Sequence, residues 1–156
     1  MNPLDKARIG KTDLHVTRLG LGCSGLARSE NKEQATETFR TAMTQGINYI
    51  DTAPLYGLGS SEKRMGRILP EVDRDRLVIS TKVGRMIRSK GQADGGSSVE
   101  LVYDYSRGGV RESLEGSLER MGVDSVDILF IHGPDNHYRP AIEEAYPALA
   151  ELRDDG

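Results

Sequence analysis

Four short apolar runs recur along this 156-residue chain: RLGLG at 18–22, INYI at 47–50, LVIST at 77–81 and VDILFI at 126–131. None shows the sustained period-two alternation of a strand with one wet face. Such runs suit strands buried on both sides, which occur in parallel sheets. Helical patterns lie between them. Ala35, Phe39, Ala42 and Met43 share one helical face, with Asn31 and Gln34 placed to cap its start and Gly46 to end it. Met65, Ile68 and Leu69 follow Ser60 and Ser61, two candidate N-caps. Val110, Leu114, Leu118 and Met121 follow Ser106, and Gly122 closes that helix. A last helical stretch runs from about 140 to 153, where Pro147 predicts a break or a fresh start.

Strand then helix, four times over, predicts an α/β fold with right-handed crossovers. Ahead of the first run, ARIGKTDLHVTRLG reads as a small β-hairpin turning near Lys11, Thr12 and Asp13. The segment 85–107 is Gly/Ser-rich and reads as a long loop between a strand end and the next helix, either an active-site loop, which belongs there, or a mobile insertion.

The strand ends carry the chemistry. Asp51 directly follows INYI, Lys82 follows LVIST and His132 follows VDILFI. Three ionisable groups therefore stand at the C-terminal ends of parallel strands, the edge at which α/β folds bind ligands. Tyr56 lies five residues past Asp51, in DTAPLYGLGS, where Pro54, Gly57 and Gly59 impose a turn. A phenol beside an ammonium is favoured as phenolate, and a carboxylate can hold that ammonium in place. Grouped this way, Tyr56 can protonate a carbonyl oxygen or take the proton of an alcohol. Each residue alone has an ordinary explanation: a turn cap for Asp51, a loop anchor for Tyr56, a solvated cation for Lys82, a satisfied buried imidazole for His132. Their joint placement is what points to function.

Other classes are disfavoured. The net charge of −3 offers nucleic acid no basic surface. No stretch approaches the roughly 20 apolar residues of a membrane span. His132, Asp135 and His137 match no common zinc spacing, so no metal site is expected. Cys23, the single cysteine, cannot form an internal disulfide and has no neighbouring base in sequence, so packing is the better reading. The N-terminus lacks an apolar leader core, and a cytoplasmic setting is the expectation.

NYIDTAPLYG with SSEKRMGRIL, ISTKVG, DSVDILFIHGPD and LGLGCSGL together resemble the aldo-keto reductase family over essentially the whole chain. The resemblance implies a TIM barrel, here the first four β/α units with an N-terminal hairpin, so that residues 1–156 form the N-terminal half of one barrel domain. It implies direct hydride transfer between NAD or NADP and a small-molecule carbonyl or sugar, without a metal. Carried over by position, Tyr56 is the general acid/base, Lys82 and Asp51 tune it, and His132 orients the carbonyl. Gly22, Cys23 and Asp51 lie near the nicotinamide. Within the family the segment 103–135 is most similar to bacterial dehydrogenases that oxidise aldoses at C1 or act on pyridoxal, and this suggests that Tyr103, Asp104 and Tyr105 shape the substrate side. The family's chains are about twice as long, and their second half carries the remaining nicotinamide contacts. An isolated four-unit sheet with two unpaired edges is therefore expected to be inactive alone and prone to self-association. Two other readings compete: a Schiff-base lyase using Lys82 as nucleophile, and a non-catalytic cofactor-binding or regulatory module.

Overall fold

Each apolar run becomes a strand, and the four lie side by side. The computed structural model describes residues 2–28, 32–90 and 98–155. β1 (Lys6–Arg8) and β2 (His15–Thr17) form the antiparallel N-terminal hairpin. β3 (Leu21–Gly22), α1 (Ser24–Arg28), α2 (Lys32–Thr44), β4 (Tyr49–Asp51), α3 (Ser60–Ile68) and β5 (Val78–Val83) follow. After them come β6 (Arg85–Lys90), β7 (Ser98–Tyr103), α4 (Arg107–Met121) and β8 (Ile128–Ile131). α5 (Tyr138–Pro140), a π-helical turn (Ala141–Ala145) and α6 (Tyr146–Asp155) run on as one bent helical stretch. The parallel sheet has the order β3-β4-β5-β8, four β/α units of the TIM-barrel type of fold.

The sheet's two faces differ. Ile50, Ile79, Thr81 and Val83 point to the helices and are buried. Ile50 and Ile79 build a core with Leu21, Phe39, Met65, Ile68 and Met121 under α2, α3 and α4, and Val83 joins a second cluster with Tyr105, Val110 and Ala145. Their strand neighbours Tyr49, Asp51, Ser80, Lys82 and Phe130 alternate to the other, concave face. In register, Asp51 opposes Gly22 and Ser80, and Lys82 opposes Phe130.

The lower end of the sheet is closed by two polar residues. Buried Asn48 accepts from the Thr17 amide at 2.6 Å and donates to the His15 carbonyl at 2.9 Å, which docks the hairpin beneath β4. Asp127 accepts from the Ile79 amide at 2.8 Å and from Arg74 at 2.7 Å. The upper end is left free for a site.

Ser106 caps α4 by accepting from the Gly109 amide, and Gly122 ends it at φ +66°. Gly46, at φ +93°, ends α2. The cap expected at Asn31 lies outside the described residues. Two expectations need correction. α3 starts from left-handed Gly59 without a side-chain cap, because the Ser61 hydroxyl is engaged with Thr52 and with the Cys23 carbonyl. Much of 85–107 is strand rather than loop: β6 and β7 pair antiparallel from Arg85 with Tyr103 to Lys90 with Ser98. Oppositely charged Arg88 and Glu100 face each other across that ladder, and Met86 is buried. The break expected near Pro147 is taken up just upstream, in the π turn. Pro147 has no N–H to continue the regular ladder there.

Candidate active site

Three backbone hydrogen bonds extend the parallel ladder past the strands. The Cys23 amide donates to the Asp51 carbonyl, Thr52 to Ser80 and His132 to Val83. These bonds hold the side chains of Asp51, Lys82 and His132 at one level on the concave face. The Lys82 ammonium donates to both Asp51 oxygens, at 2.8 and 2.7 Å, and to the Thr52 carbonyl at 2.8 Å. Its three donors thus meet three acceptors. Ser80 also donates to Asp51 Oδ1, at 2.7 Å.

Tyr56 returns from the β4–α3 loop over this pair. The Lys82 Nζ lies 4.9 Å from the centroid of its ring. The His132 ring meets the Tyr56 ring edge-on at 6.1 Å. The loop holds its shape through a short series of backbone bonds, including Tyr56 to Ala53 and Gly59 to Pro54. Its turn requires a left-handed residue at Gly57 (φ +60°), whose missing side chain lets the Ala27 carbonyl approach. The four residues Asp51, Tyr56, Lys82 and His132 therefore meet at one end of the sheet.

His132 is pulled down to about 4, first by burial and then by the charges of Arg85 and Lys82, with Asp51 opposing. At neutral pH it is an uncharged imidazole, able to donate one hydrogen bond but not to act as a cationic acid. Its Nδ1 is buried without a partner. Behind it the Tyr105 hydroxyl donates to the His132 carbonyl at 2.8 Å, with the Gly133 carbonyl at 3.0 Å.

Gly22 and Cys23 part ways. Gly22 is exposed at the end of β3, and a Cβ there would project into open space. The Cys23 side chain turns into the helix-side core, fully buried. Its thiol is pushed up to about 12 by burial and then by the Asp51 carboxylate, with Lys82 opposing. Cys23 therefore contributes its backbone, not its sulfur, to the rim. Of the three substrate-side candidates, Tyr103 is exposed on β7, Tyr105 is buried beneath His132, and Asp104 is tied to Arg88 at 2.7 Å and to Ser106 at 2.6 Å. The rings of Tyr103 and Tyr105 both stack on His137, at 5.0 and 5.2 Å.

Two features escaped the sequence reading. Arg85 leans over Tyr103, with Cζ 5.3 Å from the ring centroid, and bears on His132. Its register at the start of a strand was hidden by reading 85–107 as loop. Glu62 and Arg120 form an ion pair of 2.7 Å on the helix side, with Glu62 fully buried and also bonded by Thr81. Nothing in two amphipathic helices marks residues 58 positions apart as partners.

No group of His, Cys, Asp and Glu with metal-binding geometry occurs among the described residues. Among them, too, no helix is long and apolar enough to cross a membrane.

A family model described as the aldo/keto reductase family matches residues 18–156. The D-threo-aldose 1-dehydrogenase of a Pseudomonas species is 35% identical, over 92% of this chain and 48% of its own length. Pyridoxal 4-dehydrogenase of Microbacterium luteolum is also 35% identical, over 82% of this chain and 43% of its own. Among solved structures, the holo form of an aldo-keto reductase from Bacillus halodurans superposes with a TM-score of 0.79 at 32% identity. It covers 97% of this chain and is itself 47% covered. The chain spans about half the length of the curated relatives it matches.

Proposed function

The chain belongs to the aldo/keto reductase family, and on that premise we propose that the protein is an oxidoreductase moving hydride between a nicotinamide dinucleotide, NAD or NADP, and a carbonyl or its alcohol. The observation that carries this reading is the convergence of Tyr56 on the saturated Lys82–Asp51 pair, with His132 alongside. In the reductive direction the Tyr56 hydroxyl gives its proton to the carbonyl oxygen, and the Lys82 cation stabilises the phenolate that results. Neutral His132 donates to the same oxygen and fixes its orientation. Asp51 and the Thr52 carbonyl keep the ammonium from swinging into the substrate space. In the oxidative direction Tyr56 takes the proton of the alcohol, by microscopic reversibility.

The concave face fits a flat heteroaromatic ring at its β3–β4 side. Gly22 leaves open space there, and the Asp51 carboxylate, 28% exposed, stands across the register. Gly22, the Cys23 backbone and Asp51 would hold the nicotinamide end, and the bound dinucleotide supplies or accepts the hydride. The aldose and pyridoxal dehydrogenases among the relatives favour an aldose oxidised at C1, or a pyridoxal-like carbonyl, as substrate. Residues 1–156 then form the N-terminal half of one barrel domain, with small molecules as partners.

A Schiff-base lyase would need an unengaged Lys82 nitrogen, and here all three of its donors are occupied. The test is turnover of reduced or oxidised nicotinamide with aldoses and pyridoxal, followed spectroscopically, for these residues within a full barrel and for Tyr56→Phe in that same protein. Cofactor-dependent turnover lost in the variant is the expected result. Borohydride trapping of a Lys82 adduct with no nicotinamide turnover would overturn the reading.

A further inference from the structure

Among the described residues, Arg85 stands at the mouth of the site without an ion-pair partner. Gly84, at φ +90°, turns the chain out of β5, and a Cβ at that position would overlap the Tyr105 ring. The turn delivers Arg85 to the first pair of the β6–β7 ribbon, opposite Tyr103. From there its side chain crosses Gly133, the residue after His132. A Cβ at Gly133 would stand 3.1 Å from Arg85 Nη1 and 3.3 Å from its Cδ. Arg85 thus lies between an aromatic ring and the backbone that carries His132.

Three other half-buried arginines, elsewhere in the fold, are neutralised. Arg88 pairs with Asp104 and Glu112, Arg120 with Glu62, and Arg74 with Asp127. Arg85 has no carboxylate within salt-bridge distance among the described residues, and its Nε is buried with no hydrogen-bond partner. Burying that donor without a partner is costly. The face of Tyr103 offsets part of that cost but takes up none of the guanidinium's five donors. A planar guanidinium with free donors beside a neutral imidazole matches an oxyanion best, since carboxylate and phosphate both accept from its fork. Among the described residues, the cation that shares the His132 environment, Lys82, is already balanced by Asp51. The positive charge at this rim therefore belongs to Arg85.

We propose that Arg85 is the specificity-determining residue of this site and receives an anionic group, a carboxylate or phosphate, borne by the carbonyl substrate beyond its reacting carbon. The assignment rests on the oxidoreductase reading for the word substrate, but the binding it asserts does not need hydride transfer. Gly133 belongs to the device, because its lack of a side chain leaves the guanidinium free.

The test separates binding from turnover. Gluconate, sorbitol 6-phosphate and sorbitol share a six-carbon chain and carry a carboxylate, a phosphate and no charge. Their binding is titrated by calorimetry against the protein and its Arg85→Gln, Arg85→Lys and Gly133→Asp variants, with Gly133→Asn as the shape control. We expect both acids to bind the parent, with affinity lost about tenfold or more in Arg85→Gln and Gly133→Asp. Arg85→Lys should lose less, and Gly133→Asn less than Gly133→Asp, since both tolerate the left-handed backbone and bring the same bulk but only Asp adds a charge that pairs Arg85. The two acids rank carboxylate against phosphate as the preferred anion. Equal binding of sorbitol and the acids, no acid binding by the folded parent, or acid binding unchanged in Arg85→Gln would each overturn the proposal. Where turnover is measurable, Arg85→Gln should raise KM for an acidic carbonyl while leaving kcat, and the KM of a neutral aldose, near parent values. Acid binding without any turnover would sink the oxidoreductase reading and leave this one standing.

Discussion

Two ion pairs flank the same strand and share the same chemistry, yet their surroundings differ. On the helix side Glu62 meets Arg120 at 2.7 Å, with the carboxylate fully buried and its second oxygen bonded by Thr81 at 2.8 Å. On the concave side Asp51 meets Lys82 at 2.7 Å, but its side chain stays 28% exposed and the ring of Tyr56 lies against the cation. The first pair is closed: every strong partner is protein, so it has nothing left to offer a ligand. The second is closed around the lysine and open around the tyrosine. Burial alone does not make a buried charge catalytic. What matters is whether the environment leaves one group with unfinished bonding.

The sharpest break between the two pairs should come from activity. Tyr56→Phe removes only an oxygen on the open side, and general acid catalysis contributes about 10²–10⁴-fold. We expect turnover to fall by that factor with the melting temperature unchanged. Lys82→Met should produce a loss of similar size. A Tyr56→Phe enzyme with parent turnover would remove the distinction altogether.

Next in size is stability on the closed side. Glu62→Gln strands Arg120, which is only 14% exposed, and removing one partner of such a pair costs about 3–5 kcal/mol. Denaturant unfolding should show that loss, while activity per folded molecule stays near the parent's. The double variant Glu62→Gln, Arg120→Met should recover much of it, because the stranded charge is gone.

His132 gives the pH dependence. Its ordinary value is 6.5 and its folded value about 4, because burial, then Arg85 and Lys82, disfavour the cation. Above 6.5 the imidazole is neutral folded and unfolded, so it contributes no slope. Between 6.5 and about 4 the unfolded chain binds the proton and the folded one does not, so stability falls as pH falls. Below about 4 the loss is complete. Water reaches part of the ring, and the screened loss is about 1–2 kcal/mol. Unfolding midpoints at about pH 7 and about pH 4.5 should differ by less in His132→Gln than in the parent. An unchanged difference would place the titration elsewhere.

How much of this was legible in the sequence follows from the same contrast. Asp51, Lys82 and His132 could be found because each ends an apolar run, and a strand's end is a position that sequence can mark. Tyr56 could be found because Pro54, Gly57 and Gly59 force the chain to turn back. Glu62 and Arg120 could not, since each lies in a helix whose charged residues read as a solvated face. Arg85 was hidden for another reason. Its strand interleaves arginines and lysine with Met86 and Ile87, and only the pairing with Val99, Leu101 and Tyr103 reveals the period of two. Ser61 misled because a hydroxyl near a helix start resembles a cap, yet here it meets Thr52 at 2.9 Å.

The smallest expected effect is also the most direct comparison. Ser80 and Thr81 are neighbours on β5, both fully buried, and each hydroxyl donates to one of the two carboxylates: Ser80 to Asp51 at 2.7 Å, Thr81 to Glu62 at 2.8 Å. Thr81→Val keeps the shape and leaves a Glu62 oxygen without its donor in a place water does not reach. An unsatisfied buried acceptor costs about 1–3 kcal/mol, and that should appear in stability with kcat unmoved. Ser80→Ala removes a donor from a carboxylate that keeps Lys82 and still touches solvent, so its stability cost should be smaller, at about 1 kcal/mol or less. Its effect belongs in kcat instead, because Asp51 then holds the lysine under Tyr56 with one restraint fewer. The pair of variants therefore crosses: the larger stability loss on one side of the strand, the larger kinetic loss on the other. Equal effects in both assays would mean that the two faces of β5 are not distinguished by solvent access, and that the open side owes its reactivity to Tyr56 alone.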